Sequence, residues 1–217
     1  MGTGSSRRRS LPKSLVRGWK STYEKTPYRD LPWFSPTPYP WVREVARTGG
    51  FRGGGRLLDV GCGAGTNSLF LARSGFEVSG IDLAPGAVRA ADQRARRARL
   101  SIDFRVGDAL QLPFPKGRFD GAIDVGCFHT LPIDLRADYA RELARVLRKG
   151  ARYALSWVAR EYTRNFGPPH RPSVEEVARA FEPSFLMLRT EFHSAWGSLP
   201  SYSALMERRR TPQPPSR

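Results

Sequence analysis

The 217 residues include only two cysteines, Cys62 and Cys127. Two are too few for a disulfide framework, which fits a reducing compartment. With no third soft ligand beside them they also make a poor metal signature, so no metal site is expected. No apolar run is long enough to span a bilayer, and no apolar stretch follows the basic opening residues to form a secretory core. A cytoplasmic location is the default expectation. Acid is missing at both ends of the chain. Arg7, Arg8, Arg9, Lys13, Arg17 and Lys20 stand in residues 1–20 without one Asp or Glu, and the last ten residues carry Arg208, Arg209, Arg210 and Arg217. These ends hold ten of the net +16 charges, so the body is only moderately basic. A further set, Arg89, Arg94, Arg96, Arg97 and Arg99, falls on one predicted helix. It reads either as a nucleic-acid footprint or as a solvated helix face.

What is present is a regular alternation. Residues 1–14 and 211–217, rich in Arg, Pro, Ser and Gly, are expected to be disordered tails. Residues 15–46 crowd Trp19, Tyr23, Tyr28, Trp33, Phe34, Tyr39 and Trp41 among Pro27, Pro32, Pro36, Pro38 and Pro40, which exclude a long helix there. This stretch is the natural lid of a site. A domain is expected over residues 47–210, after the flexible join Gly49–Gly55. Within it, apolar strands are predicted at 56–60, 77–82, 102–106, 119–125 and 151–158. Helices are predicted at 66–74, 85–100 and 174–181, the last with Ser173 and Glu176 as a capping box. A further helix over 134–148 sets Leu135, Tyr139, Leu143 and Leu147 at spacings of four, with Gly150 as its stop. Residues 185–192 and 202–208 are expected to close the sheet as an antiparallel pair. The fold class is therefore α/β: a doubly wound, mostly parallel, seven-stranded Rossmann-like sheet with helices on both faces.

In such sheets ligands lie outside the carboxyl ends of the strands, and the chemically interesting residues gather there. Asp59-Val60-Gly61-Cys62-Gly63-Ala64-Gly65-Thr66-Asn67 ends a strand, turns on three glycines and opens a helix. Glycines suit a sharp turn where a ligand touches bare backbone, and a helix start offers unpaired N–H groups to an anion. The ending Gly65-Thr66-Asn67 excludes a P-loop, and G-x-G-x-G differs from the dinucleotide fingerprint. Asp82 ends the second strand, where a carboxylate accepts both hydroxyl hydrogens of a ribose. Asp108 follows the third strand, where it can accept from an adenine amino group, with Ala109 offering a backbone N–H. In register at successive strand ends, these acids form a nucleoside-binding constellation.

The run Asp59 to Gly65 resembles motif I of class I S-adenosylmethionine-dependent methyltransferases. Asp82, Asp108 and Phe119-Asp120 fall where that family has its next three motifs, and Arg148-Lys149-Gly150 resembles the turn before its fifth strand, more often Pro-Gly-Gly. The resemblance covers roughly residues 57–208. It implies S-adenosyl-L-methionine as cofactor, held by Trp33, Asp59, Gly61, Cys62, Gly63, Gly65, Asn67, Asp82, Leu83, Asp108, Ala109, Asp124 and Val125. Thr66 to Ala72, Asp124 to His129 and Pro32-Trp33 look like the tellurite-resistance and thiopurine methyltransferase branch. That kinship implies a small-molecule acceptor, often a soft sulfur, selenium or halide nucleophile, in a pocket lined by Tyr23, Phe34, Cys127 and Phe128. His129, just past the fourth strand, reads either as a general base or as a hydrogen-bonded structural histidine.

Three functions follow as expectations. The first is methyl transfer to a small molecule, by a monomer or homodimer without a membrane. The second is nucleic-acid methylation, disfavoured because the fourth strand ends in Asp124-Val125-Gly126-Cys127 and lacks the Asn/Asp-Pro-Pro-aromatic motif of base-amine methyltransferases. The third is cofactor binding without catalysis.

Overall fold

A computed structural model describes residues 9–159, 171–196 and 199–211. Its centre is a seven-stranded sheet: β1 (Arg56–Val60), β2 (Glu77–Asp82), β3 (Asp103–Val106), β4 (Phe119–Val125), β5 (Leu147–Val158), β6 (Phe185–Trp196) and β7 (Leu199–Arg208), in the spatial order β3-β2-β1-β4-β5-β7-β6. The first five strands run parallel, and β7 is antiparallel to both β5 and β6. The helices are α1 (Lys13–Lys25), α2 (Pro40–Arg47), α3 (Thr66–Arg73), α4 (Pro85–Arg97), α5 (Arg136–Val146) and α6 (Val174–Phe181). The α/β class and the closing antiparallel pair are as the alternation predicted, with β7 inserted between β5 and β6.

Successive strand residues point to opposite faces, and the sheet divides its core accordingly. Leu57, Ile123 and Ala154 pack with Trp41, Val42 and Val45 of α2 and Leu71 of α3. Leu58, Val60, Ala122 and Leu155 pack with Tyr139, Leu143 and Val146 of α5 and with Val177 and Phe181 of α6. Burial on both faces explains why β4 reads as a nearly continuous apolar run. Helix α4 buries only Ala87, Ala90, Ala91 and Ala95, so it lies close to β2 and β3 and turns most of its arginines outward. Helix α6 carries the expected capping box, Ser173 and Glu176 each bonding the other's backbone N–H.

Several boundaries differ from expectation. The region predicted as one helix over 134–148 opens with a 3-10 turn, Ile133–Leu135, and the α-helix covers only Arg136–Val146. Leu147 instead pairs with Phe119 in the sheet, after which the register shifts and Gly150 takes φ +77°. Asp120 accepts from Arg148 at 3.0 Å and from Arg56 at 3.4 Å, two ion pairs that flank this bulge. Of the tail expected over 1–14, residues 1–8 lie outside the described residues. The rest is ordered structure: Leu11 is buried in the α5 side of the core, and α1 begins at Lys13. The domain boundary expected at 47 falls at the end of α2, whose Trp41 is 1% exposed, so the core begins before it. Of the tail 211–217, only Thr211 is described. Among the described residues no helix is long and apolar enough to cross a membrane.

Candidate active site

The strand order reverses between β1 and β4, so the crevice beyond their carboxyl ends is the topological switch point. There the backbone fixes the glycine loop. Gly61 N–H and Cys62 N–H both donate to Ile81 O of β2, at 2.8 and 3.0 Å. Gly61, Gly63 and Gly65 take φ of +70°, +53° and +76°, a region costly to residues with a Cβ. Space adds a second requirement at Gly61, where a Cβ would lie 2.5 Å from Cys127 Cβ. At Gly63 a Cβ would stand 3.1 Å from the Tyr23 hydroxyl, so bare backbone faces that phenol.

Of the four acids expected to hold the cofactor, two face the crevice and two do not. Asp82 accepts Gly63 N–H and Ala84 N–H, each at 2.9 Å, one on each oxygen. The Leu83 N–H also acts on this carboxylate; with about four lone-pair directions, acceptor capacity remains for a ligand. Burial pushes its carboxyl pKa up, opposed by the Ala84 and Gly63 N–H groups. Asp108 accepts Leu110 N–H at 2.8 Å, beside Ala109, and on its other oxygen the N–H of Leu11 at 3.5 Å. Leu83, half-buried, follows Asp82 at the same edge. Asp59, by contrast, is 2% exposed and accepts the Ser68 hydroxyl at 2.5 Å, tying α3 to β1 beneath the loop. Asp124 is fully buried. It accepts Cys127 N–H, Phe128 N–H and the Tyr139 hydroxyl at 2.8, 3.0 and 2.6 Å, so it shapes the turn after β4 and offers nothing to a ligand. Burial raises both of these carboxyl groups to a pKa of about 7.

The aromatic N-terminal segment lies over the loop. Trp33 Nε1–H donates to the Tyr23 hydroxyl at 3.2 Å, and the Trp19 and Trp33 rings meet edge to face at 5.4 Å. Burial, and then the nearby Asp82 carboxylate, push the Tyr23 phenol up, so it stays protonated. Because it accepts from Trp33, its own hydrogen is left to donate. Asn67, expected to touch cofactor, instead accepts Tyr39 N–H at 2.9 Å, and Thr66 donates its hydroxyl hydrogen to Ser35 O at 2.8 Å. The first turn of α3 therefore anchors the segment. Phe34, expected in the acceptor pocket, packs edge to face on Tyr28 at 5.1 Å beneath the Arg94 guanidinium. Sequence reasoning missed Arg94 itself. It reaches from α4 to Ala64 O at 2.5 Å and Thr66 Oγ1 at 2.8 Å, joining cofactor loop and segment. Its inward turn has no signal in a helix where arginine also fills the exposed positions.

Beyond β4, Cys127 packs against Gly61, while Cys62 lies close to Gly80 of β2. Both are free thiols, and burial first of all pushes both well up, which makes them poor nucleophiles. Phe128, expected in the acceptor pocket, is fully buried against the rings of Tyr139 and Phe181 and belongs to the core. Val125 is half-buried at the strand end. His129 is 7% exposed, and its Nδ1 accepts Val158 N–H at 3.1 Å. Burial, aided by the charges of Arg136 and Arg171, lowers its pKa to about 3. With Nδ1 engaged and the ring neutral, its hydrogen sits on Nε2 and no basic nitrogen is left. Of the two expected roles, the geometry supports the hydrogen-bonded structural histidine: His129 pins the end of β5 to the turn after β4.

Placed together, the sheet order, the glycine loop and Asp82 set a doubly wound α/β fold with its candidate site at the switch point. Residues 57–150 match a family model described as a methyltransferase domain. The chain is 33% identical over 123 residues to a 2-heptyl-1-hydroxyquinolin-4(1H)-one methyltransferase of Mycobacteroides abscessus, covering 56% of this chain and 53% of that protein. It is 36% identical over 133 residues to a 2-phytyl-1,4-naphtoquinone methyltransferase of Synechococcus elongatus, covering 57% and 54%. The chain thus spans about half the length of the curated relatives it matches. The fold also matches, with a TM-score of 0.79, 24% identity and coverage of 90% and 92%, a structure solved in work on the conversion of a disulfide bond into a thioacetal group during echinomycin biosynthesis.

Proposed function

We propose that this protein transfers the methyl group of S-adenosyl-L-methionine to a small, flat, acidic acceptor. The observation that carries the reading is Asp82: a half-buried carboxylate at the switch-point edge, oriented by backbone N–H groups on both oxygens, with acceptor capacity left for the ribose hydroxyls. On this reading Asp108 and Ala109 take the adenine amino and ring nitrogens, and Tyr23 donates its hydrogen to the carboxylate of the methionine moiety near Gly63. Trp33 covers that end and presents an aromatic face to the sulfonium.

Methyl transfer is an in-line displacement. The acceptor's lone pair forms the new bond to carbon as the carbon–sulfur bond breaks, and the pair from that bond leaves on a neutral thioether. The protein's work is alignment and exclusion of water. Since His129 has no basic nitrogen to give, an acceptor that arrives already deprotonated suits the site best. The net charge of +16 favours the approach of such an anion. The acceptors named for the two curated relatives, a hydroxyquinolinone and a naphthoquinone, share flat bicyclic rings, which supports a planar acceptor. Resemblance to the thiopurine and tellurite-resistance branch adds soft sulfur, selenium and halide nucleophiles as a finer reading.

The test is titration calorimetry with S-adenosylhomocysteine, followed by a screen with deuterated-methyl S-adenosylmethionine. The panel holds hydroxyquinolinones, naphthohydroquinones, thiols, selenols, halides, phenols, amines and RNA, read by product mass. Wild-type protein is expected to bind the nucleoside, Asp82→Ala to weaken it by about a hundredfold, roughly 2.7 kcal/mol, and label to appear on a planar acidic ring. No uptake by clean protein would end the reading. Label only on RNA would replace the acceptor class.

A further inference from the structure

On the outer side of the cofactor loop lies a cleft of about 390 Å³, walled by the N-terminal segment, α3 and the last turn of α4. Four arginines line it: Arg29 from the segment, Arg73 from α3, and Arg94 and Arg97 from α4. No Asp or Glu is among its lining residues. Some arginines elsewhere on the surface sit in ion pairs, as Arg96 does with Asp92, Arg105 with Asp103 and Arg152 with Glu207; what sets the cleft apart is that four unpaired arginines share one acid-free concavity. None of the four cleft arginines has an ion pair among the described residues. Burial, and then the neighbouring Arg29 and Arg73 charges, lower the pKa of Arg94, with Tyr28 acting in the other direction. Like charges converging on a concave, acid-free space repel one another unless an anion joins them, and planar guanidinium forks match phosphoryl oxygens two at a time.

We propose that this cleft binds the oligophosphate group of a small molecule. A single phosphate fills only part of the volume, whereas two linked phosphoryl groups have room to meet more than one of the lining arginines. Pro36 and Pro38 close one side with apolar surface. Inorganic pyrophosphate and the diphosphate of a nucleotide share this chemistry. The consequence for the site follows from geometry. Arg29 belongs to the N-terminal segment and Arg73 and Arg97 to the body, so a bridging anion fastens the segment down. Arg94, between them, is already bonded to Ala64 O of the cofactor loop and to Thr66, which holds Ser35.

The test uses the full chain at about 0.15 M salt, where weak surface attraction is screened. Inorganic pyrophosphate and ADP are titrated separately by calorimetry, and backbone hydrogen exchange is followed over residues 26–39. Expected are binding of both probes, slower exchange in that segment with either, and a loss of at least tenfold in affinity in the double variant Arg73→Gln/Arg97→Gln. These two arginines are exposed and touch neither Asp82 nor the glycine loop, so the double variant is expected to keep its affinity for S-adenosylhomocysteine. The Asp82→Ala variant, in turn, is expected to keep pyrophosphate binding, so failure of this site and failure of the methyltransferase reading are distinguishable. Tighter ADP than pyrophosphate assigns the ligand as a nucleotide; equal affinities assign the phosphates alone. Absence of binding at millimolar pyrophosphate, binding untouched by the double variant, or binding of RNA without either small probe overturns the proposal.

Discussion

The glycine loop and the N-terminal segment above it meet face to face, yet they are held in different ways. Loop 61–65 is fixed by main chain to main chain, through Gly61 and Cys62 N–H to Ile81 O and through Gly65 N–H to Cys62 O. Few side-chain substitutions can undo such bonds, and an added Cβ can. The segment over residues 9–39 is fixed by side chains at scattered points: Asn67 on Tyr39 N–H, Thr66 on Ser35 O, Trp33 on Tyr23, and Arg94 over Tyr28 and Phe34. Trp33 remains 42% exposed in its place. A main-chain scaffold suits the half that must present fixed donors to every ligand. A few separable side-chain contacts would suit a segment that, on the proposed reading, opens to admit one.

That contrast can be broken in order of expected effect. Gly61→Ala attacks the main-chain half. A left-handed residue with a Cβ costs about 1–2 kcal/mol, and a Cβ 2.5 Å from Cys127 forces a shift that costs a further ~1–3 kcal/mol. The expected outcome is a lowered Tm and loss of nucleoside binding by calorimetry. If affinity survives, backbone presentation is not what the loop supplies.

Next in size is His129, on the scaffold beneath the loop. Its folded pKa of about 3 lies below the usual 6.5, so between these values the unfolded chain binds the extra proton and stability falls as pH falls. By pH 5 that loss is about 2 kcal/mol. Asn places an acceptor oxygen near the Nδ1 position, so His129→Asn is expected to keep the Val158 N–H bond and remove this acid sensitivity. His129→Ala is expected to lose about 1–3 kcal/mol at neutral pH by leaving that N–H unpaired. Melts at about pH 5 and 7.5 compare the three proteins, and a changed pH–rate profile in the Asn variant would restore His129 as a base.

The smallest effect belongs to the segment. Tyr23→Phe removes one hydroxyl from its inner face, and nucleoside affinity is expected to weaken about tenfold, near 1.4 kcal/mol. The loss is expected to appear as faster dissociation in stopped flow with Tm nearly unchanged. A large drop in Tm would show that the segment is scaffold and not cover.

Much of this was legible along the chain because the signals are local. Three glycines between a strand and a helix demand left-handed turns, and acids at successive strand ends share one edge once the strands are parallel. Ser173 and Glu176 announce a capping box within four residues. The misreadings have one cause. Asn67 and Asp124, expected to hold cofactor, are each taken by a partner from elsewhere, Tyr39 N–H 28 residues away and the Tyr139 hydroxyl 15 away, just as Thr66 goes to Ser35 O 31 away and Arg94 to Ala64 O 30 away. Spacing cannot reveal those partners. Leu11 was misread for the same reason, since its burial depends on residues such as Leu110 on the α5 side of the core.

Sequence alone determined the architecture, the glycine turn and the edge where Asp82 and Asp108 stand, because periodicity and turn chemistry act over a few residues. Tertiary structure decided which polar groups remain for a ligand. A buried hydrogen-bonding group goes to whatever partner folding brings within about 3 Å, and only the packed chain shows that Asp82 keeps lone pairs to offer while Asp124 and His129 have spent theirs.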